Sequence, residues 1–205
     1  MQPPEFGVPS TTLPSATPGR AVVRYEISSF SEHWIIPEQE PVPESVLHDR
    51  CVELLVALLR AWVARTAIDA AVLRNLAVRV RQDRYRVGFD PDICVVTPAP
   101  PEGDELTSLQ IWRPEHRPPL LAIEVVSRGH PYKDYAEIPD RCAAAGVGEL
   151  VVFDPLLAGP TAHRGPFLLQ LWRRAADGGF DRVHAGAGPA QSTALGAWLV
   201  PARDA

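Results

Sequence analysis

The sequence predicts an α/β protein with a mixed central β-sheet flanked by α-helices. Three observations carry that expectation. Residues 46–67 are the longest periodic stretch, with Leu47, Leu54, Leu55, Leu58, Leu59 and Trp62 on a wide apolar face and Asp49, Glu53 and Arg60 elsewhere. The runs "GFDPDICVVTP", "PLLAIEVVS" and "ELVVFDP" contain short apolar segments with the length and residue types of buried strands. A short helix over 139–145, ending at Gly146, separates the last two, and a helix crossing between apolar strands gives a mixed sheet.

In chain order, residues 1–20 read as a disordered leader, because "MQPPEFGVPSTTLPSATPG" combines five prolines with Ser, Thr and Gly and has no apolar period. Residues 21–205 then form one domain, since a chain of 205 residues with 46% hydrophobic content suffices for a single well-buried core. "AVVRYEISSF" and "HWII" suggest one or two early strands. Ser45 is placed to cap the long helix, its hydroxyl accepting an otherwise unpaired backbone N–H. "NLAVRVRQ" alternates Leu76, Val78 and Val80 with Ala77, Arg79 and Arg81, the pattern of a half-buried strand. Near the end, "FLLQLWRR" and "FDRVHA" flank the turn residues "ADGG" as a hairpin, and "ALGAWLV" reads as a closing strand or edge element.

A formal charge of -5 gives no bulk attraction for a polyanion, so nucleic-acid binding requires a local basic patch. The stripe over residues 79–86, "RVRQDRYR", is the best such patch, with a solvated strand face as the plainer reading. Cys51, Cys94 and Cys142 form no CxxC pair and read as buried thiols in a reducing cytoplasm. No signal peptide or membrane span is indicated, and a cytoplasmic protein is the expectation. Serine-hydrolase elbows, phosphate-binding loops, dinucleotide fingerprints and paired-histidine zinc motifs are all missing. Trp34, Trp62, Trp112, Trp172 and Trp198 are scattered, as packing residues are.

The carboxylates are less ordinary. Asp90 and Asp92 flank Pro91 at the start of one apolar strand, and Glu124 lies inside another. An ion buried in a strand costs several kcal/mol unless a cation or hydrogen bonds compensate. If neighbouring strands present Asp92 and Glu124 at one sheet edge, their oxygens suit a hard divalent cation such as Mg2+. Such an ion can activate water and offset charge on a phosphoryl group. The plainer alternative makes Asp90 and Asp92 turn residues and pairs Glu124 with an arginine at the sheet end. Lys133 stands out too, as the single lysine beside nineteen arginines.

"FDPDICVV", then "LAIEVVS", then an acidic position and a short helix ending "AAAGVGELVVFDP" resemble the Uma2 (DUF820) family of endonucleases, a branch of the PD-(D/E)xK superfamily. The likeness runs from about residue 25 to 200 and includes the helix bearing His48. It implies a restriction-endonuclease-like core, with Asp92 and Glu124 matching the carboxylates that hold magnesium. The superfamily lysine commonly follows the glutamate by two residues, where this chain has Val126. In Uma2-like proteins it has moved onto the next helix, four residues beyond the acidic position matched by Asp134, and there this chain has Ile138. Lys133 is the only lysine able to substitute, from a loop "HPYKDY" preceding a helix that starts near Pro139. Arg141 can offer charge but not general-base chemistry. His48 in the first turn of the long helix, and His130 before Pro131, lie near the expected site, with capping or surface roles as the alternative.

The expectation is therefore a Mg2+-dependent endonuclease, with Mn2+ as an alternative ion, hydrolysing DNA by attack of water on phosphorus. Asp92 and Glu124 hold the metal, Lys133 orients water or offsets charge, and Asp90, His48 and Asp134 support them. A homodimer is allowed, and a membrane is not a partner. The competing expectation is a PD-(D/E)xK-fold module that binds nucleic acid or protein without catalysis.

Overall fold

The computed structural model describes residues 23–25, 45–129, 131, 133–161 and 165–202. The expected leader, the strand at "HWII" and His130 lie outside these residues.

Helix α1 (Val46–Thr66) starts where the sequence places it: the Ser45 hydroxyl accepts the His48 N–H at 3.2 Å, and Asp49 and Arg65 complement the helix dipole at its two ends. Its buried face differs from the expected one. His48, Val52, Val56, Leu59 and Trp62 point into the protein, while Leu54 and Leu58 remain 54% and 58% exposed and Leu47 is also exposed. The apolar arc is wider than the contact with the sheet, and spacings of three and four residues from His48 to Trp62 select the stripe that is covered.

Among the described residues twelve strands follow or precede it: β1 (Arg24–Tyr25), β2 (Ala71–Arg74), β3 (Ala77–Arg79), β4 (Gly88–Phe89), β5 (Ile93–Val96), β6 (Ser108–Gln110), β7 (Leu121–Val125), β8 (Glu149–Phe153), β9 (Leu169–Arg174), β10 (Phe180–Gly186), β11 (Ala190–Ser192) and β12 (Ala197–Leu199). Seven form a mixed sheet in the order β1-β10-β9-β8-β7-β5-β2, in which only β7 and β8 run parallel. Strands β4-β3-β6 make a small second sheet, and β11 with β12 a separate hairpin. "ALGAWLV" thus closes its own hairpin and adds nothing to the main sheet's edge.

Alternation along the strands sorts the core into two layers. On one face Ile93, Val95, Leu121, Ile123, Val125 and Val151 pack with Val52, Val56, Leu59 and Trp62 of α1. On the other, Cys94, Val96, Ala122, Leu150, Val152 and Trp172 pack with Ile138, Cys142 and Ala143 of helix α2 (Ile138–Ala145). The helices therefore flank the sheet on opposite sides. The three cysteines are free, with Cys94 and Cys142 buried and Cys51 half-buried.

The parallel β7–β8 pair needs a crossover, and this segment departs from expectation. Instead of a loop before the helix, Lys133–Glu137 form a π-helical turn that runs directly into α2. Pro139 explains the widening: it has no N–H for the carbonyl one turn back, so the chain keeps helical curvature with a looser turn. Gly146, with φ of 82°, closes α2 in the left-handed region. Arg174 caps the same end, donating to the carbonyls of Cys142 at 3.1 Å and Ala143 at 2.7 Å.

Candidate active site at the β5–β7 edge

Strand β5 pairs antiparallel with β7, Ile93 opposite Ile123, so one more step along the ladder brings Asp92 beside Glu124. The side chain of Asp92 closes that step itself: its Oδ2 accepts the Val125 N–H at 2.7 Å. The same oxygen lies 3.2 Å from Nε2 of His48, which donates to it from the first turn of α1. The Ser45 cap thereby fixes where the imidazole stands, and the imidazole fixes the carboxylate. Asp92 and His48 are both buried.

Glu124 projects from near the C-terminal end of β7 onto the α2 side of the sheet and is 1% exposed. Its Oε1 has no hydrogen-bond partner among the described residues. Oε2 faces the Lys133 ammonium at 3.8 Å. Burial drives the Glu124 carboxyl well above the usual glutamate range; Lys133 opposes that push, and Asp92, Asp134 and Asp90 add to it. No arginine bonds to this carboxylate among the described residues, so the plain ion-pair reading of Glu124 rests on Lys133 alone.

Lys133 opens the π-helical turn, and its Nζ also lies 3.5 Å from Oδ1 of Asp134. Glu124 raises the affinity of this amine for its proton, more than burial lowers it. Asp134 is 3% exposed, and burial lifts its carboxyl from 3.8 to about 7 against the pull of Lys133. Asp92, Glu124, Lys133, Asp134 and His48 are thus gathered at one end of β5 and β7.

Three other residues named from the sequence make no hydrogen bond to the cluster among the described residues, though the charge of Asp90 still reaches Glu124. Asp90 is 44% exposed at its side chain and bonds Arg79 at 2.6 Å. Ile138 is 1% exposed in the core layer beneath α2. Arg141 donates to the Gly88 carbonyl at 3.3 Å and to Glu137 at 3.1 Å. The arginine stripe is occupied internally as well, Arg79 by Asp90 and Arg81 by Asp83.

Two participants escaped the sequence reading. Tyr135 and Asp154 are buried and hydrogen-bonded to one another behind the turn that carries Lys133. The only signals were a tyrosine directly after Asp134 and an aspartate ending an apolar strand in "FDP".

Among the described residues no group of three or more His, Cys, Asp or Glu side chains is arranged to hold a metal ion. A magnesium site asks for less, since that ion keeps several waters and is bound through one or two carboxylates. A fixed Asp92 and a buried Glu124 oxygen without a partner fit that demand. Among the described residues no helix is long and apolar enough to cross a membrane.

None of the curated proteins matches the chain at a significant level. Among solved structures, that of a "putative nuclease belonging to DUF820" from Anabaena variabilis is similar, with 15% identity over 82% of each chain and a TM-score of 0.55. This likeness shows the restriction-endonuclease-like fold. The profile of the Uma2 family, described as "Putative restriction endonuclease", matches residues 24–165, a span that holds the whole β5–β7 site. The chain belongs to the Uma2 family.

Proposed function

We propose that this protein is a metal-dependent endonuclease that hydrolyses phosphodiester bonds of DNA. The observation that carries the reading is Glu124: a carboxylate held in a sheet interior, one oxygen unpartnered, beside Asp92 and the chain's single lysine. Burial of a charge at that cost has a chemical use when a cation completes the site.

Asp92 and Glu124 would hold Mg2+ or Mn2+. When bound, such an ion supplies Lewis-acid charge to phosphoryl oxygens and makes water a better nucleophile. The remaining steps fall to the protein. The His48 imidazole and the Val125 N–H hold one oxygen of Asp92, leaving the other for the ion. Lys133 carries its proton at neutral pH, and Glu124 favours the ammonium further, so it acts as a positive charge and donor. It offsets the negative charge that grows on the phosphoryl group and can hold the attacking water, but it does not remove that water's proton.

A second reading, a binding module of the same fold without catalysis, is favoured by Ile138, which fills the family's lysine position with a fully buried apolar side chain. Two measurements separate them. Mg2+ or Mn2+ should raise the melting midpoint of the wild type but not of Asp92→Ala or Glu124→Gln, by about 2.7 kcal/mol of stability at a hundredfold excess over the dissociation constant. Plasmid nicking should require the metal and be lost in Asp92→Ala, Glu124→Ala and Lys133→Ala. A metal-induced rise without nicking selects the binding module; nicking indifferent to all three substitutions removes the nuclease assignment.

A further inference from the structure

The cation of this site is carried by a turn with weak internal support, and the structure supplies that support from outside. Pro139 withholds one of the N–H groups that would tie the Lys133–Glu137 turn to α2. Tyr135, in the middle of that turn, is 2% exposed. Its hydroxyl lies 3.0 Å from Oδ2 of Asp154 and accepts the Phe167 N–H at 2.9 Å. Asp154, fully buried at the end of β8, is itself held by the N–H groups of Ala158 and Gly159, each at 2.8 Å.

The ring sits against two glycines that leave room for it. A Cβ on Gly159 would lie 2.2 Å from the Tyr135 Cζ, and one on Gly165 would lie 2.8 Å from its Cε1. Neither position can carry a side chain while the ring stays. A hydroxyl anchored by Asp154 and Phe167, with glycines against the ring, defines a socket that accepts tyrosine in a single orientation. The Tyr25 hydroxyl, donating to the Ala136 carbonyl at 3.2 Å, braces the same turn from β1. Two residues before Tyr135 the backbone releases the stem of Lys133, whose side chain is 43% exposed yet directed at Glu124 and Asp134.

We propose that Tyr135, seated in the socket formed by Asp154, Gly159 and Gly165, is a positioning residue that holds the Lys133 ammonium at the Glu124 carboxylate. The device lets a lysine upstream of α2 occupy the space that the buried Ile138 cannot serve. Its geometric part stands without the nuclease reading; its effect on rate rests on that reading.

Because Lys133 is the only lysine, acylation by an amine-reactive ester reports on it alone once the α-amine is separated by peptide mapping. Tyr135→Phe keeps the ring and removes the anchor, whereas Gly159→Ala evicts the ring. Each variant is to be labelled well below its melting midpoint. Both should label Lys133 several-fold faster than the wild type, as should Glu124→Gln, which removes the opposing charge. In metal-dependent nicking, Tyr135→Phe should lower kcat about tenfold with KM unchanged. Wild-type labelling rates in both Tyr135→Phe and Gly159→Ala overturn the proposal. Faster labelling in the two variants, with a wild type that never nicks DNA, upholds the socket and removes only the nuclease reading.

Discussion

Replacing Asp134 with asparagine should stabilise the metal-free protein, and should do so in a pH-dependent way. Burial raises the carboxyl of Asp134 from 3.8 to about 7, with Lys133 opposing. As pH climbs, the unfolded chain releases this proton first, so the folded state binds more protons across the interval and stability falls with rising pH. The loss starts near the unfolded value and is complete once the folded group has also ionised. At about 1.36 kcal/mol per unit, a displacement of about three units removes about 4 kcal/mol by pH 8 and almost nothing at pH 3. Against a typical total of about 5–15 kcal/mol, that is a large fraction. Asparagine has the same shape without the charge. Urea unfolding in EDTA at pH 4, 6 and 8 should show the variant's advantage growing from a few tenths of a kcal/mol to about 4 kcal/mol. An advantage that stays constant across the three pH values would refute the argument that buried charge at Asp134 opposes folding.

Three further outcomes follow from geometry. His48→Ala removes the donor to Asp92 and should weaken Mg2+ binding about 10- to 100-fold, read from the metal concentration needed to raise the melting midpoint. Glu149→Ala strips the acceptor for Arg173 and Ser192, each at 2.6 Å, and for the Thr193 N–H at 3.0 Å; urea unfolding should show a loss of about 3–5 kcal/mol. Ala67→Gly should raise the melting midpoint with a gain of about 0.5–1 kcal/mol, because Ala67 closes α1 at φ of 54°, where a β-carbon is unfavourable.

The parts of this structure that could be read in the sequence are those with a period or an unusual burial. Helix α1 has both a cap and a repeat, and β5, β7 and β8 are nearly continuous apolar runs, so all four emerge from residue types. Asp92 and Glu124 were conspicuous because a carboxylate in such a run needs a reason, and Lys133 because it has no duplicate. Strands β2, of four residues, and β6, of three, were not legible, because neither lies in a longer alternating or apolar run of the kind that surrounds β3 and β5. The rotation of α1's buried face was hidden because leucines line both flanks of the helix, and only the width of the sheet contact decides between them. Pro139 misled in the other direction: its missing N–H marks where a helix cannot continue normally, but a π-helical turn is a second way to obey that restriction. The pairing of Tyr135 with Asp154 joins residues on either side of β8, and nothing local announces it.

The parallel neighbours β7 and β8 cannot zip from a tight turn; the segment between them must fold back across the sheet before they meet. That segment carries Lys133, Asp134 and all of α2. Completion of the sheet's centre consequently brings the segment that bears the amine across its face, which couples the two events. Hydrogen exchange should find the amides of β8 and of the Lys133–Glu137 turn opening as a common unit, so that damage to the crossover is felt at once in stability and in chemistry.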